Sequence, residues 1–81
     1  MILAHFEETD LGYEVQDLVT RQRLGLVYDH PEAGWCWEIF LPHLGIGLTC
    51  ITPFADPKEA MDDVADELME IQSLLDGWSL A

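Results

Sequence analysis

Asp56-Pro57-Lys58-Glu59-Ala60-Met61-Asp62-Asp63-Val64-Ala65-Asp66-Glu67-Leu68-Met69-Glu70-Ile71 carries two helical patterns at once. Asp56 is suited to cap, Pro57 suits the first helical position, and Glu59 stands where a capping box places its reciprocal acid. The spacing predicts a helix over residues 57–76, with Gly77 in the left-handed position just past its end. At about 1.5 Å per residue it would be roughly 28 Å long. Ala60, Met61, Val64, Ala65, Leu68, Ile71, Leu74 and Leu75 recur at three and four residues and predict one buried stripe. Glu59, Asp62, Asp63, Asp66, Glu67 and Glu70 repeat at the same period on the opposite side, and Lys58 is the only base within the helix. Like charges at such spacings repel by a few tenths of a kcal/mol per pair.

Upstream of the helix the period changes. In Trp35-Cys36-Trp37-Glu38-Ile39-Phe40-Leu41 the odd positions share one face and Cys36, Glu38 and Phe40 the other, the alternation of a half-buried strand closed by Pro42. Tyr13-Glu14-Val15-Gln16-Asp17 alternates likewise, and Leu24-Gly25-Leu26-Val27-Tyr28 is an apolar run ended by the turn residues Asp29 to Gly34. Met1 to Glu7 is a candidate strand before these, and Leu48 to Ile51, preceded by Gly45 and Gly47, a candidate after them. The expected fold is α+β, one domain over residues 1–81: a three- to four-stranded antiparallel sheet (strands within about 1–51) with the C-terminal amphipathic helix on one face. Trp35 and Trp37 are expected in the core, with Trp78 folded back as a plug. The uncovered sheet face would present Tyr13, Tyr28 or Phe40 to a partner or a second copy.

Composition bounds the function. In 81 residues, 16 Asp and Glu face 3 Lys and Arg, a formal charge of -13, yet 49% of the chain is apolar, well away from the composition of disordered segments. A domain this small buries about 60 to 65% of its unfolded surface and has little room for a deep cleft, so no enzyme is expected. No apolar run approaches the roughly 20 residues of a membrane span, and Met1 to Phe6 lacks a basic leader, so a cytoplasmic protein is expected. Cys36 and Cys50 are too few for a disulfide framework and are expected as free, buried thiols, with a single bridge between them as the alternative. His30, Cys36, His43 and Cys50 match no zinc spacing, the helix acids match no calcium loop, and Ser73 and Ser79 lie in no nucleophile elbow. No catalytic residue, metal or cofactor is therefore assigned. Direct binding of nucleic acid is not expected, because its phosphates would be repelled by like charge.

The acid stripe is the feature that asks for an explanation. A solvated helix face or adaptation to high salt would account for acidity in general, but soluble faces usually mix signs. Six carboxylates between Glu59 and Glu70 give roughly one charge per 3 Å of helix axis, against 3.4 Å along one DNA strand. Glu59, Asp62, Asp63, Asp66, Glu67 and Glu70 are thus the candidate partner-binding residues, and the partner expected is a basic nucleic-acid-binding protein.

The layout of Leu24-Gly25-Leu26-Val27, Gly34-Trp35-Cys36-Trp37 and Asp56-Pro57-Lys58-Glu59-Ala60 resembles small phage-encoded proteins, including anti-CRISPR proteins, in size, acidity and order of elements. The resemblance implies an inhibitor that occupies the DNA-binding channel of a CRISPR effector by mimicry, acting in the host cell cytoplasm. Glu59-Ala60 also looks like the Glu-Ala step of HicB-type antitoxins, which neutralise a basic RNase. The chain departs from their pattern, since Gly47 and Cys50 are not adjacent and Asp56 stands where they carry Thr or Ser. A homodimeric structural module joined through the open sheet face, with charge serving solubility, is the remaining alternative.

Overall fold

The structure, a computed structural model, describes residues 4–79 and the side chains of residues 4–77. It is an α+β fold in which β1 (Ala4–Thr9), β2 (Gly12–Asp17), β3 (Arg23–His30), β4 (Gly34–Leu41) and β5 (Ile46–Thr49) follow one another as an antiparallel meander, and α1 (Pro57–Ser79) closes one face. The sheet has five strands where three or four were expected. The additional strands are the short outer ones, and β5 lies at Ile46–Thr49, two residues before the expected Leu48 to Ile51. Its shift follows from the turn: Pro42 ends β4, a 3-10 turn over Pro42–Leu44 follows, and Gly45 reverses the chain at φ 67°.

Alternation in β4 holds throughout. Trp37, Ile39 and Leu41 are buried against the helix, whereas Glu38 and Phe40 are exposed on the other face. Cross-strand partners share a face, so Val15 and Phe6 lie behind Gly25 and Ile39, and Tyr13 behind Val27 and Trp37. Tyr13, expected as an anchor on the open face, is therefore on the covered one, its ring 6.2 Å from that of Trp35 at 43°. The pairing slips by one residue between Val15/Gln16 and Arg23/Gly25, a bulge that leaves Leu24 without a partner. Such a bulge turns consecutive side chains toward the same face, and Leu24, which strict alternation would place outside, is 4% exposed in the core. At Gly25 the sheet needs the missing side chain, because a Cβ there would fall on the carbonyl oxygen of Glu38.

The helix begins as the sequence predicts. The Glu59 backbone N–H donates to Asp56 Oδ1 at 3.0 Å, and Pro57 opens the first turn. The carboxylate of Glu59 makes no reciprocal bond, so the cap is one-sided. Ala60, Val64, Leu68 and Ile71 are buried, and Met61, Ala65 and Leu75 are half-buried beside them. Each large aliphatic side chain so covered contributes about 1.5 to 3 kcal/mol. Two expectations fail at the far end. The helix runs on through Gly77, which has no positive φ, and Leu74 is 68% exposed. Leu74 lies at the flank of the stripe, where Leu75 beside it is still half-buried against the core. Gly77 follows from length, since 23 helical residues span about 34 Å and the eight-residue strands about 26 Å, so the helix end outruns the sheet. With no turn imposed there, a helical glycine costs only about 1 kcal/mol. The expectation for Trp78 falls on a side chain outside the described residues.

The close approach at Gly25 is directly testable. Gly25→Ala should lower stability by about 3 kcal/mol or more in urea denaturation, because the clash is with backbone that cannot swing away. Gly47→Ala, where an added methyl meets nothing within 4 Å, should change stability by less than about 1 kcal/mol.

Candidate partner-binding face

The six helix acids divide into two sets. Glu59, Asp62, Asp66 and Glu70 are exposed along the ridge that points away from the sheet, whereas Asp63 and Glu67 are half-buried on the flank facing β5. Lys58 is already engaged, its Nζ 3.0 Å from Asp62 one turn on, and with side chains 82% and 68% exposed this pair adds a few tenths of a kcal/mol. The ridge is therefore single-signed in effect. From Glu59 to Glu70 it carries four carboxylates over about 16 Å, roughly one per 5 Å, sparser than the 3.4 Å per charge of a DNA strand.

Asp63 has a different task. Its Oδ2 accepts the indole N–H of Trp37 at 2.7 Å, from a ring that is 5% exposed. A buried indole N–H must find an acceptor, and the carboxylate supplies one while keeping solvent on its outer side. Asp63 and Glu67, with Trp37, Leu48, Thr49, Ile51 and Thr52, line a shallow groove between the helix and the chain leaving β5. No local sequence signal marks Asp63 apart from its neighbours, because its partner is 26 residues away.

Topology extends the acidic surface. The β1–β2 and β3–β4 turns lie at the same end of the sheet, as the pairing of Gly12 with Tyr28 requires. The helix starts at that end too, since Phe54 forms an isolated bridge with Trp35 just before Asp56. Exposed Glu7, Glu8, Asp10, Asp29 and Glu32 thus cluster at the end where Glu59 and Asp62 begin the ridge. Arg21 and Arg23 lie at the opposite end, by the β2–β3 turn. That turn is organised by Asp17, whose Oδ1 accepts the backbone N–H groups of Val19 and Thr20 at 2.8 and 3.0 Å, holding its carboxyl below the usual carboxylate range.

On the uncovered face, Phe40 is 65% exposed, and Tyr28 lies over the middle strands with its hydroxyl 3.5 Å from Glu38. Removal from water, then the charge of Glu38, raises the Tyr28 phenol above its ordinary value. Cys36 and Cys50 are free but half-exposed rather than buried, and their sulfurs approach to 2.7 Å. The hydrogen bond from Cys50, followed by desolvation, pushes the Cys36 thiol up to about 11. Among the described residues, no group of three or more His, Cys, Asp or Glu side chains is placed to hold a metal ion, and no helix is long and apolar enough to cross a membrane.

Comparison of the chain with protein-family models, with curated proteins and with solved structures finds no match in any of the three. The site is accordingly read from its own chemistry.

Two outcomes follow from this geometry. Asp63→Leu should cost about 1 to 3 kcal/mol by stranding the Trp37 N–H, and Asp63→Asn, which keeps an acceptor, less. A double-mutant cycle with Trp37→Phe should show coupling between the two residues and none between Trp37 and Asp66. A thiol held neutral by the fold contributes stability that is complete below its unfolded value of 9.0 and lost as pH rises through about 11. Denaturation on either side of that window should show the decline, reinforced by Tyr28 and reduced in Cys36→Ser.

Proposed function

We propose that this protein is an acidic protein-binding inhibitor whose helix ridge docks on the positively charged nucleic-acid-binding groove of a partner protein and keeps nucleic acid out. The observation that carries the reading is the outward face of α1, where Glu59, Asp62, Asp66 and Glu70 are exposed in one row and the only cation on the helix is paired to Asp62. Acids at the adjoining turns lengthen the field beyond the helix, and a single-sign field of this kind speeds encounter with a basic surface and selects against acidic ones. Asp63 and Glu67 border the contact rather than form its centre.

The resemblance to anti-CRISPR proteins suggests a CRISPR effector as the class of target. DNA mimicry here is partial, because the ridge holds fewer charges per length than a DNA strand. Exposed Met69, at 65%, flanks the row and offers apolar area that a purely electrostatic copy of DNA would lack. A second reading, a homodimer through the open sheet face, is favoured by one observation, the 65% exposure of Phe40 near the β5 side of that face. An antitoxin acting on a basic RNase would use the same ridge and differs in the identity of what it binds.

The test is capture of partners on the immobilised protein, with low- and high-salt washes and with added DNA or RNA as competitor. A nucleic-acid-binding protein should be retained, released between about 50 and 300 mM salt, and displaced by the competitor. Replacing Asp62, Asp66 and Glu70 by Lys should abolish capture while leaving the fold intact. Unchanged capture by that variant would overturn the proposal, and a dimer insensitive to salt but lost in Phe40→Ser would put the second reading in its place.

A further inference from the structure

We infer that Cys36 and Cys50 are the two halves of an intramolecular disulfide that fastens the chain leaving β5 to β4. The argument begins with the free edge of β4. That strand runs from Gly34 to Leu41, but β5 covers only Glu38 to Leu41. The remaining edge is met by the connection to the helix at two points: the Cys50 N–H donates to the Trp37 carbonyl at 3.1 Å, and Phe54 exchanges two backbone hydrogen bonds with Trp35, at 2.7 and 2.9 Å. Between these points Ile51, Thr52 and Pro53 arch outward, with Ile51 wholly exposed.

The first pin places the two sulfurs together. Cys36 precedes Trp37 on β4, and the bond to the Trp37 carbonyl holds the Cys50 backbone beside it, leaving the thiols 2.7 Å apart and both half-exposed to an oxidant. Since β5 has ended at Thr49, Cys50 is not bound to the pleat of the sheet and can turn its side chain toward the face that Cys36 occupies.

Glutathione disulfide is the oxidant of the right class. One cysteine thiolate attacks a sulfur of that disulfide and expels a glutathione thiolate; the second cysteine, as thiolate, attacks the protein sulfur of the mixed disulfide and expels the other glutathione. Two S–H bonds are lost from the protein, one S–S bond forms, and one glutathione disulfide becomes two glutathione molecules. The elevated pKa of Cys36 makes the exchange slow at neutral pH and faster as pH rises. The cross-link joins residues 14 positions apart and closes a loop containing β5, which removes freedom from the unfolded chain and holds the arch at the edge of β4.

The experiment equilibrates the intact protein in glutathione buffers from reducing to oxidising, blocks free thiols with a maleimide, and maps the cross-link by mass spectrometry. Thermal unfolding of both forms is measured alongside. The expected result is a monomer that loses both reactive thiols together, yields a peptide joining Cys36 to Cys50, and melts higher oxidised than reduced. Wild-type protein alone decides the matter, so a poorly folding Cys36→Ser variant would not obscure it. Two thiols still open to maleimide in the most oxidising buffer, persistent glutathione adducts, disulfide-linked dimers, or an oxidised form that melts no higher would each overturn the inference.

Discussion

The indole of Trp37 is where the parts of this domain are joined. Its ring lies under α1 and donates to Asp63, its backbone pairs with Val27 on β3, and its carbonyl accepts both the hydroxyl of Thr49 at 3.3 Å and the N–H of Cys50. One residue therefore sets the position of the helix, the middle of the sheet and the end of the last strand. A small domain needs such economy. With a single apolar layer between sheet and helix, lateral sliding of α1 over a smooth aliphatic surface would cost little, whereas a buried N–H has one acceptable direction. Asp63 fixes the rotation of the helix, and that rotation decides which of the six acids face outward.

The same constraint makes the molecule two-sided. The covered face takes the buried aliphatic residues of the sheet, and the open face carries Leu26, Tyr28, Phe40, Glu14, Glu38 and the thiols. Antiparallel sheets tolerate this, since one face may remain solvated. The edge on the β5 side is blunted in two ways: β5 is only four residues long, and the rest of β4 is capped by the arch through Cys50 and Phe54.

How much of this could be read from the chain depended on whether the signal was local. The period of two in Trp35 to Leu41 and the Asp56-Pro57 start are properties of adjacent residues, and both placed their elements correctly. A helix-ending glycine and a tolerated one such as Gly77 look alike in sequence until it is known whether the helix outruns the sheet. Leu74 and Leu75 both fit the three- and four-residue spacing, and only the packing shows that Leu75 faces the core while Leu74 stands on its flank. Leu24 reached the core through a bulge that breaks alternation, and the Asp63–Trp37 and Cys36–Cys50 contacts join positions whose meeting depends on the register of β4, β5 and α1 together. Of the six candidate acids, four form the ridge as expected. The other two carry a role that periodicity alone assigns to the opposite surface.

The crowding of carboxylates is tolerable because of where they sit. Glu59 occupies the first turn, where the unpaired N–H groups and the positive end of the helix dipole favour negative charge, and beyond Glu70 only Asp76 remains before the helix ends. Repulsion between neighbours is further relieved by the two carboxylates drawn aside, Asp63 toward an indole N–H and Asp62 toward Lys58. The cost that remains lies between exposed charges, so it is the part that salt or a basic surface can remove. A ridge built this way gains when a cationic partner arrives, because association then relieves a strain that the isolated domain carries. Stability of the fold therefore rests on the inward row with Trp37, while the repulsion that a cationic surface would relieve lies in the outward row of the same helix.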